Sequence, residues 1–269
     1  MERLEASAFF DLEAFSHRDV FASELPVWET LSRLKGYLEK HLKPSLTGLN
    51  LYGTPLPQTV VLYDGRIWFD GFEILGGDVG KGTFHVLVRG QKTSEATVLY
   101  AGCVFMDAGV QLGKGTVVEP GALIKGPTII GNGTEIRQGA YIRGTCLVGD
   151  RCVVGHTTEV KSSIFLDGAK AGHFAYVGDS ILGKDVNLGA GTKLANLKIK
   201  GNNVRIWTEN GAVDTGRRKL GAIIGDGTEI GCNAVTNPGT ILGKRCLVLP
   251  LTSVAPGIYQ NHSVVGGKK

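Results

Sequence analysis

Cysteine is scarce in this sequence and never closely paired. The 269 residues hold five, Cys103, Cys146, Cys152, Cys232 and Cys246, an odd number with no CxxC spacing. That argues against a zinc site and against a disulfide framework, and with reduced thiols as the default a cytoplasmic location is expected. Long hydrophobic runs are also missing: none approaches the ~20 apolar residues that span a bilayer, so no membrane is expected as partner. The opening, MERLEASAFFDLEAF, lacks the basic stretch and apolar core of a secretory leader. A dominant charge is absent too. The formal net charge is +4, and the basic residues are scattered apart from Arg217-Arg218-Lys219. A nucleic-acid binder gathers them into a stripe, so no nucleic acid is expected.

Glycine, by contrast, is abundant: 40 residues against a usual share of about 7 %. Its excess accompanies a repeat. An aliphatic residue stands at every sixth position through Leu112, Val118, Ile124, Ile130, Ile136, Ile142, Val148, Val154, Val160 and Leu166. A period of six fits neither a 3.6-residue helix nor long two-residue alternation. It is the period of a β-solenoid, in which each hexapeptide forms one short face of a coil and points its aliphatic residue inward. The phase breaks after Leu166, returns at Leu182, Leu188 and Leu194, stops near Asn196, and resumes from Ile224 through Ile230, Leu242, Val248 and Val254, with Thr236 the poor match. Both breaks hold polar and charged residues, and sites gather where a repeat fails.

The expected organisation is a cap over 1–75 and a solenoid over 76–269, with a hairpin insertion at about 197–222. In the cap, Ser23 and Pro26 would start a helix whose apolar face is Val27, Trp28, Leu31, Leu34, Leu38 and Leu42, ended by Pro44. TVVLYDGRIWFD (59–70) reads as a hairpin around Asp64-Gly65. These pieces are expected to cover the open end of the solenoid, whose unpaired edges invite aggregation. In the insertion a second hairpin is expected around Asn210-Gly211, and a loop of that length is functional or makes a subunit contact.

Chemistry concentrates at the first break, which holds GAKAGHFAYVGD (168–179) and then DVNLGAGT (185–192). His173 is a natural general base near neutral pH. The run EVKSSIFLDGAKAGHFAYVGDSILGKDVNLGAGT, with its words E-V-K, K-A-G-H, Y-x-G-D and V-N-x-G-A-G-T and the later I-I-G-D, resembles the acetyltransferase domain of bifunctional glucosamine-1-phosphate acetyltransferase/N-acetylglucosamine-1-phosphate uridylyltransferase enzymes. The resemblance spans about residues 112–255. It implies an all-β fold, a left-handed parallel β-helix, here with a small helix-plus-strand cap. It also implies a homotrimer that binds acetyl-CoA and an amino-sugar phosphate between subunits. By position, His173 would be the base and Glu159 its assistant. Arg143, Lys161 and Lys219 would hold the phosphate through charge-assisted hydrogen bonds. Tyr176, Asn187 and Asn196 would position the sugar, and Ala190 and Cys232 would line the coenzyme arm.

The sequence also departs from that family. No glycine-rich G-x-G-T-R loop stands in residues 1–111, so uridylyl transfer is not expected. Cys232 stands where a serine is common, Leu249-Pro250-Leu251 replaces a small-residue turn, and the basic C-terminal arm shrinks to Gly266-Gly267-Lys268-Lys269. The segment ANLKIKGNNVRIWTENGAVDTGRRKLGAIIGD resembles a subset of sugar-phosphate nucleotidyltransferases. The leading expectation is an acyl-CoA-dependent N-acyltransferase for an amino-sugar phosphate or a nucleotide-linked amino sugar. The alternative is a non-catalytic trimeric sugar-phosphate-binding or assembly protein with a degenerate coenzyme groove. A carbonic anhydrase on this fold needs three histidines on a metal. The solenoid offers His156 and His173, the others being at 17, 41, 85 and 262, and no metal is expected.

Overall fold

Short strands with one inward aliphatic each are what the hexad demands, and the chain builds them. In the computed structural model, which describes residues 4–208 and 211–267, three parallel sheets wrap one interior. The first face runs from Thr97–Leu99 through Val153–His156 and Lys170–His173 to Val264–Val265. The second runs from Val104–Phe105 through Glu159–Lys161 and Tyr176–Gly178 to Ser253–Val254, and the third from Val110–Leu112 to Gly257–Tyr259. Coils stack in register, Val118 on Ile136 and Ile136 on Val154. Val118, Ile124, Ile130, Ile136, Ile142, Val148 and Val154 fill the interior. The all-β parallel β-helix is therefore the architecture.

The sixfold series parts from the interior at its last member. Val148 aligns with Phe165, not Leu166, and Leu166 turns outward into a second apolar cluster. The coil is one residue short at the corner between the second and third faces, where Ser162 takes φ 47°. The next coil is short at the same corner, with Asp179 at φ 48°. Hydroxyls satisfy the tightened backbone there: Ser180 N–H donates to Ser163 Oγ at 3.1 Å and Ala222 N–H to Ser180 Oγ at 3.0 Å. Buried backbone donors need such partners. A count of aliphatic residues cannot detect the shortening, because Phe165 and Leu166 are both apolar.

The N-terminal helix does not cover the open end. Glu29–His41 lies along the outside of the third face. Its Leu31, Leu34 and Leu38, with Phe9, Phe10 and Trp28, join the outward residues Ile129, Leu147, Ile164, Ile181, Ile223 and Ile241. Removing such apolar area from water stabilises by about 1.5–3 kcal/mol per large side chain, which explains why this face is apolar outside as well as inside. Ser23 is not the cap either: the helix follows Trp28, with no side-chain cap hydrogen bond.

The end is closed instead by residues 46–68. Leu46, Leu49, Leu56 and Val60 pack on Leu99, Cys103 and Phe105. The hairpin Val60–Tyr63/Arg66–Trp68 adds antiparallel to Thr97–Leu99, and Asp64 and Gly65 take φ 51° and 69°, as a tight two-residue turn requires. Phe72–Gly76, His85–Val88 and Gln91–Thr93 form a separate antiparallel sheet. It packs through Phe84, Val86 and Val88 on Val98 and Val117. The parallel coils begin at Thr97 rather than at residue 76.

The insertion leaves after Lys193–Leu194 and rejoins at Ala222–Ile224. It forms the expected hairpin, Arg205–Thr208 against Gly211–Asp214. Gly211 opens the return strand, while Asn210, like Lys268 and Lys269 of the tail, lies outside the described residues. Leu34 is wholly buried under the helix, so Leu34→Ala should destabilise by about 2–5 kcal/mol in urea unfolding. Lys35→Ala, one residue away and exposed, should change stability by less than about 0.5 kcal/mol.

Candidate active site

The corner between the first and second faces repeats in every coil, and parallel register stacks its residues into a column. Phe174 N–H donates to His156 O at 2.8 Å, Gly191 N–H to His173 O at 2.9 Å, Asn233 N–H to Ala190 O at 2.8 Å and Leu251 N–H to Cys232 O at 2.9 Å. His156, His173, Ala190 and Cys232 thus stand one above another along one edge, although the insertion separates the last two in sequence. His156 and His173 stack with ring centroids 5.7 Å apart and planes 27° apart. His173 is exposed, beside Phe174 at 60 % exposure. The Nδ1 of His156 is buried and has no hydrogen-bond partner among the described residues.

The second face carries the next group. Its outward residues Tyr141, Glu159, Tyr176 and Lys193 align across four coils. Glu159 accepts from Arg143 Nη1 at 2.6 Å, and this hydrogen bond holds the Arg143 guanidinium further above its ordinary pKa. Arg143 also sits 5.9 Å from the centre of the Tyr141 ring. Glu159 therefore orients Arg143, and no hydrogen bond joins it to His173.

At the far end of this face Lys161 Nζ lies 3.1 Å from Asp179 Oδ2, and Asn196 Nδ2 donates to the same oxygen at 2.6 Å. Leu220 N–H donates to Asn196 O, which brings the foot of the insertion, and with it Lys219, beside this cluster. Asn187 lies elsewhere: it faces out from the first face and donates to Glu229 at 2.9 Å. One chain thus presents two groups. His173, Ala190 and Cys232 line the corner, with Asn187 on the first face behind it. Arg143, Lys161, Asn196 and Lys219 gather at the far edge of the second face, with Tyr176 and Glu159 between.

Asp179 has no role in the sequence reading, yet it binds both Lys161 and Asn196; its place in the word Y-x-G-D was the available signal. The partnership of His156 with His173 is also missed there. It follows from seventeen-residue coils, which a sixfold pattern does not reveal.

Fold and column together define a hexapeptide-type parallel β-helix with a histidine edge. Among known families, the GMPPB C-terminal domain matches residues 124–216. A bifunctional sugar-1-phosphate nucleotidylyltransferase/acetyltransferase of Sulfurisphaera tokodaii is 40% identical over 97 residues, 36% of this chain and 24% of that protein. The bifunctional protein GlmU of Methanocaldococcus jannaschii is 38% identical over 95 residues, 35% of this chain and 23% of its own. The resemblance read from the sequence is thus present, and it is confined to part of the solenoid. The chain spans about a quarter of the length of these curated relatives. A solved UDP-N-acetylglucosamine acyltransferase of Francisella novicida aligns with 59% of this chain and 60% of its own at 14% identity and a TM-score of 0.27, too weak a likeness to bear on the argument.

The cysteines differ sharply in access. Cys232 is exposed and Cys103, Cys146, Cys152 and Cys246 are buried. Burial pushes the Cys103 and Cys146 thiols up to about 12 and raises Cys152 and Cys246 as well. Since the thiolate is the reactive form, Ellman's reagent at pH 8 should titrate one thiol in the native protein, lost in Cys232→Ser, and five after denaturation.

Proposed function

We propose that this chain is an acyl-CoA-dependent N-acyltransferase acting, as a homotrimer, on an amino-sugar phosphate such as glucosamine-1-phosphate. The column of His173, Ala190 and Cys232 along one open edge carries this reading. Among the described residues the Ala190 N–H has no hydrogen-bond partner, so a donor stands free one coil from an exposed imidazole. The edge offers small groups, Ala190 and Gly191, beside which an extended thioester arm can lie. When bound, the coenzyme supplies the acyl group as an activated thioester.

His173 accepts the proton that the sugar ammonium must lose before its amine can attack the thioester carbonyl. The Ala190 N–H donates to the carbonyl oxygen as it gains charge. As the tetrahedral adduct collapses, the protonated His173 returns its proton to the departing sulfur and the acylated nitrogen releases its second proton to water, leaving amide, free thiol and one proton in solution. On the phosphate side, Lys161 and Arg143 bind with their positions set by Asp179 and Glu159. Residues split between the corner and the far edge of the second face would meet across a subunit boundary, which supports the trimer. A closed cyclic assembly satisfies every such boundary alike.

The test is acetyl-CoA turnover with glucosamine-1-phosphate, followed by free thiol release. His173→Ala should lower kcat by about 10²–10⁴-fold while sugar-phosphate affinity changes little, and light scattering should give three chains. Acetyl-CoA should also protect Cys232 from alkylation.

A second reading rests on Leu249-Pro250-Leu251: Leu251 is 79 % exposed at φ 60° in the column that the thioester arm would follow. If the coenzyme groove has degenerated there, glucosamine-1-phosphate binds and loses affinity in Lys161→Ala, while acetyl-CoA neither binds nor protects Cys232.

A further inference from the structure

The insertion holds a surplus of positive charge that the monophosphate reading does not use. Residues 196–221 contain six Lys or Arg and two acidic residues, a surplus equal to the +4 of the whole chain. Three of those cations, Arg217, Arg218 and Lys219, border a groove of about 560 Å³ whose opposite wall is the first turn of the helix, Glu29 and Ser32, with Asp179 also lining it.

The acidic groups in the groove are already engaged. Asp179 is neutralised by Lys161 at 3.1 Å. Glu29 accepts from Ser32 at 3.2 Å, and Ser32 Oγ in turn meets Arg217 Nη1 at 2.6 Å. Arg217 is thereby fixed in place. Among the described residues no acidic partner pairs with Arg218 or Lys219. Adjacent unpaired cations repel one another, and an anion with more than one charge relieves that repulsion.

Asp179 lines the groove and also binds Lys161 and Asn196, so an anion in the groove would lie beside whatever Lys161 holds. An exposed aromatic stands on the hairpin that leaves the groove. Val204 N–H donates to Arg217 O at 2.8 Å, so the hairpin rises directly from the cationic foot. Ile206 is buried, and the alternate residues Arg205 and Trp207 face outward, Trp207 at 62 % exposure. At about 3.3 Å per strand residue, Trp207 stands roughly 10 Å beyond Val204, a span that an extended nucleotide can bridge. Exposed indoles are natural stacking partners for bases.

From these observations we infer that the acceptor is a nucleoside-diphosphate-linked amino sugar. Its second phosphate would sit on Arg217 and Arg218 and its base on Trp207. The inference rests on the sugar-phosphate reading of Lys161 and narrows it. Calorimetry on the full chain at fixed salt tests it with UDP-glucosamine, glucosamine-1-phosphate and inorganic pyrophosphate. UDP-glucosamine should bind at least about tenfold more tightly than glucosamine-1-phosphate. Arg218→Gln, which removes no side-chain hydrogen bond or ion pair among the described residues, should weaken UDP-glucosamine about tenfold or more and glucosamine-1-phosphate less than twofold. Trp207→Ala should weaken UDP-glucosamine and leave pyrophosphate unaltered.

Equal affinity for the two sugars, or equal losses for both in Arg218→Gln, overturns the inference while leaving the monophosphate site standing. Pyrophosphate binding as tightly as UDP-glucosamine, with no effect of Trp207→Ala, reduces the groove to an anion patch and overturns it as well. Failure of both sugars to bind the wild type removes the sugar-phosphate reading itself.

Discussion

Each coil of this protein must land in register on the coil beneath it, because its neighbours are the partners of its backbone donors and acceptors. Most strands are only two or three residues long, so little local structure would survive without that stacking. Buried backbone groups left unpaired are costly. A residue can therefore be deleted only where a corner can tighten, and added residues must leave as a loop. Both occur here, the deletions at Ser162 and Asp179 and again between Val254 and Gly257, and the addition between Leu194 and Ala222. The candidate phosphate cluster lies where the first two deletions meet the insertion.

Three faces of one repeat acquire different fates through their outward residues. The third face carries Ile129, Leu147, Ile164, Ile181, Ile223 and Ile241 under the N-terminal helix. Burying that face leaves the other two for ligands or further copies of the chain. The second carries Tyr141, Glu159, Tyr176 and Lys193, a polar ladder with no business in a core. Its cations are held by local carboxylates, Arg143 by Glu159 and Lys161 by Asp179. Such pairing fixes their positions at the cost of some competition with an incoming phosphate.

Much of this was legible in the chain. An inward aliphatic every sixth residue permits one architecture, and the hairpin at Asp64-Gly65 followed from its turn chemistry. His173 and Lys161 stood out because short words of sequence surround them. The place of the N-terminal helix was not legible. Its apolar stripe Val27, Trp28, Leu31, Leu34, Leu38 announces burial but not against what, and an open end and an apolar outer face satisfy it equally. Asp179 and the contact between His156 and His173 were hidden for another reason: both depend on coil length, which changes silently when two apolar residues adjoin, as Phe165 and Leu166 do.

The sequence by itself determined the solenoid, since period and residue type act through local geometry and an inward face that must be dry. Only the tertiary structure decided which residues share an edge. Parallel stacking sets His173, Ala190 and Cys232 in one column and brings Asn196 and Lys219 to Lys161 around Asp179. Those neighbours are fixed by the number of residues each coil takes to return. That number is a property of the stacked whole, where the hydrogen bonds of one coil are completed by the next.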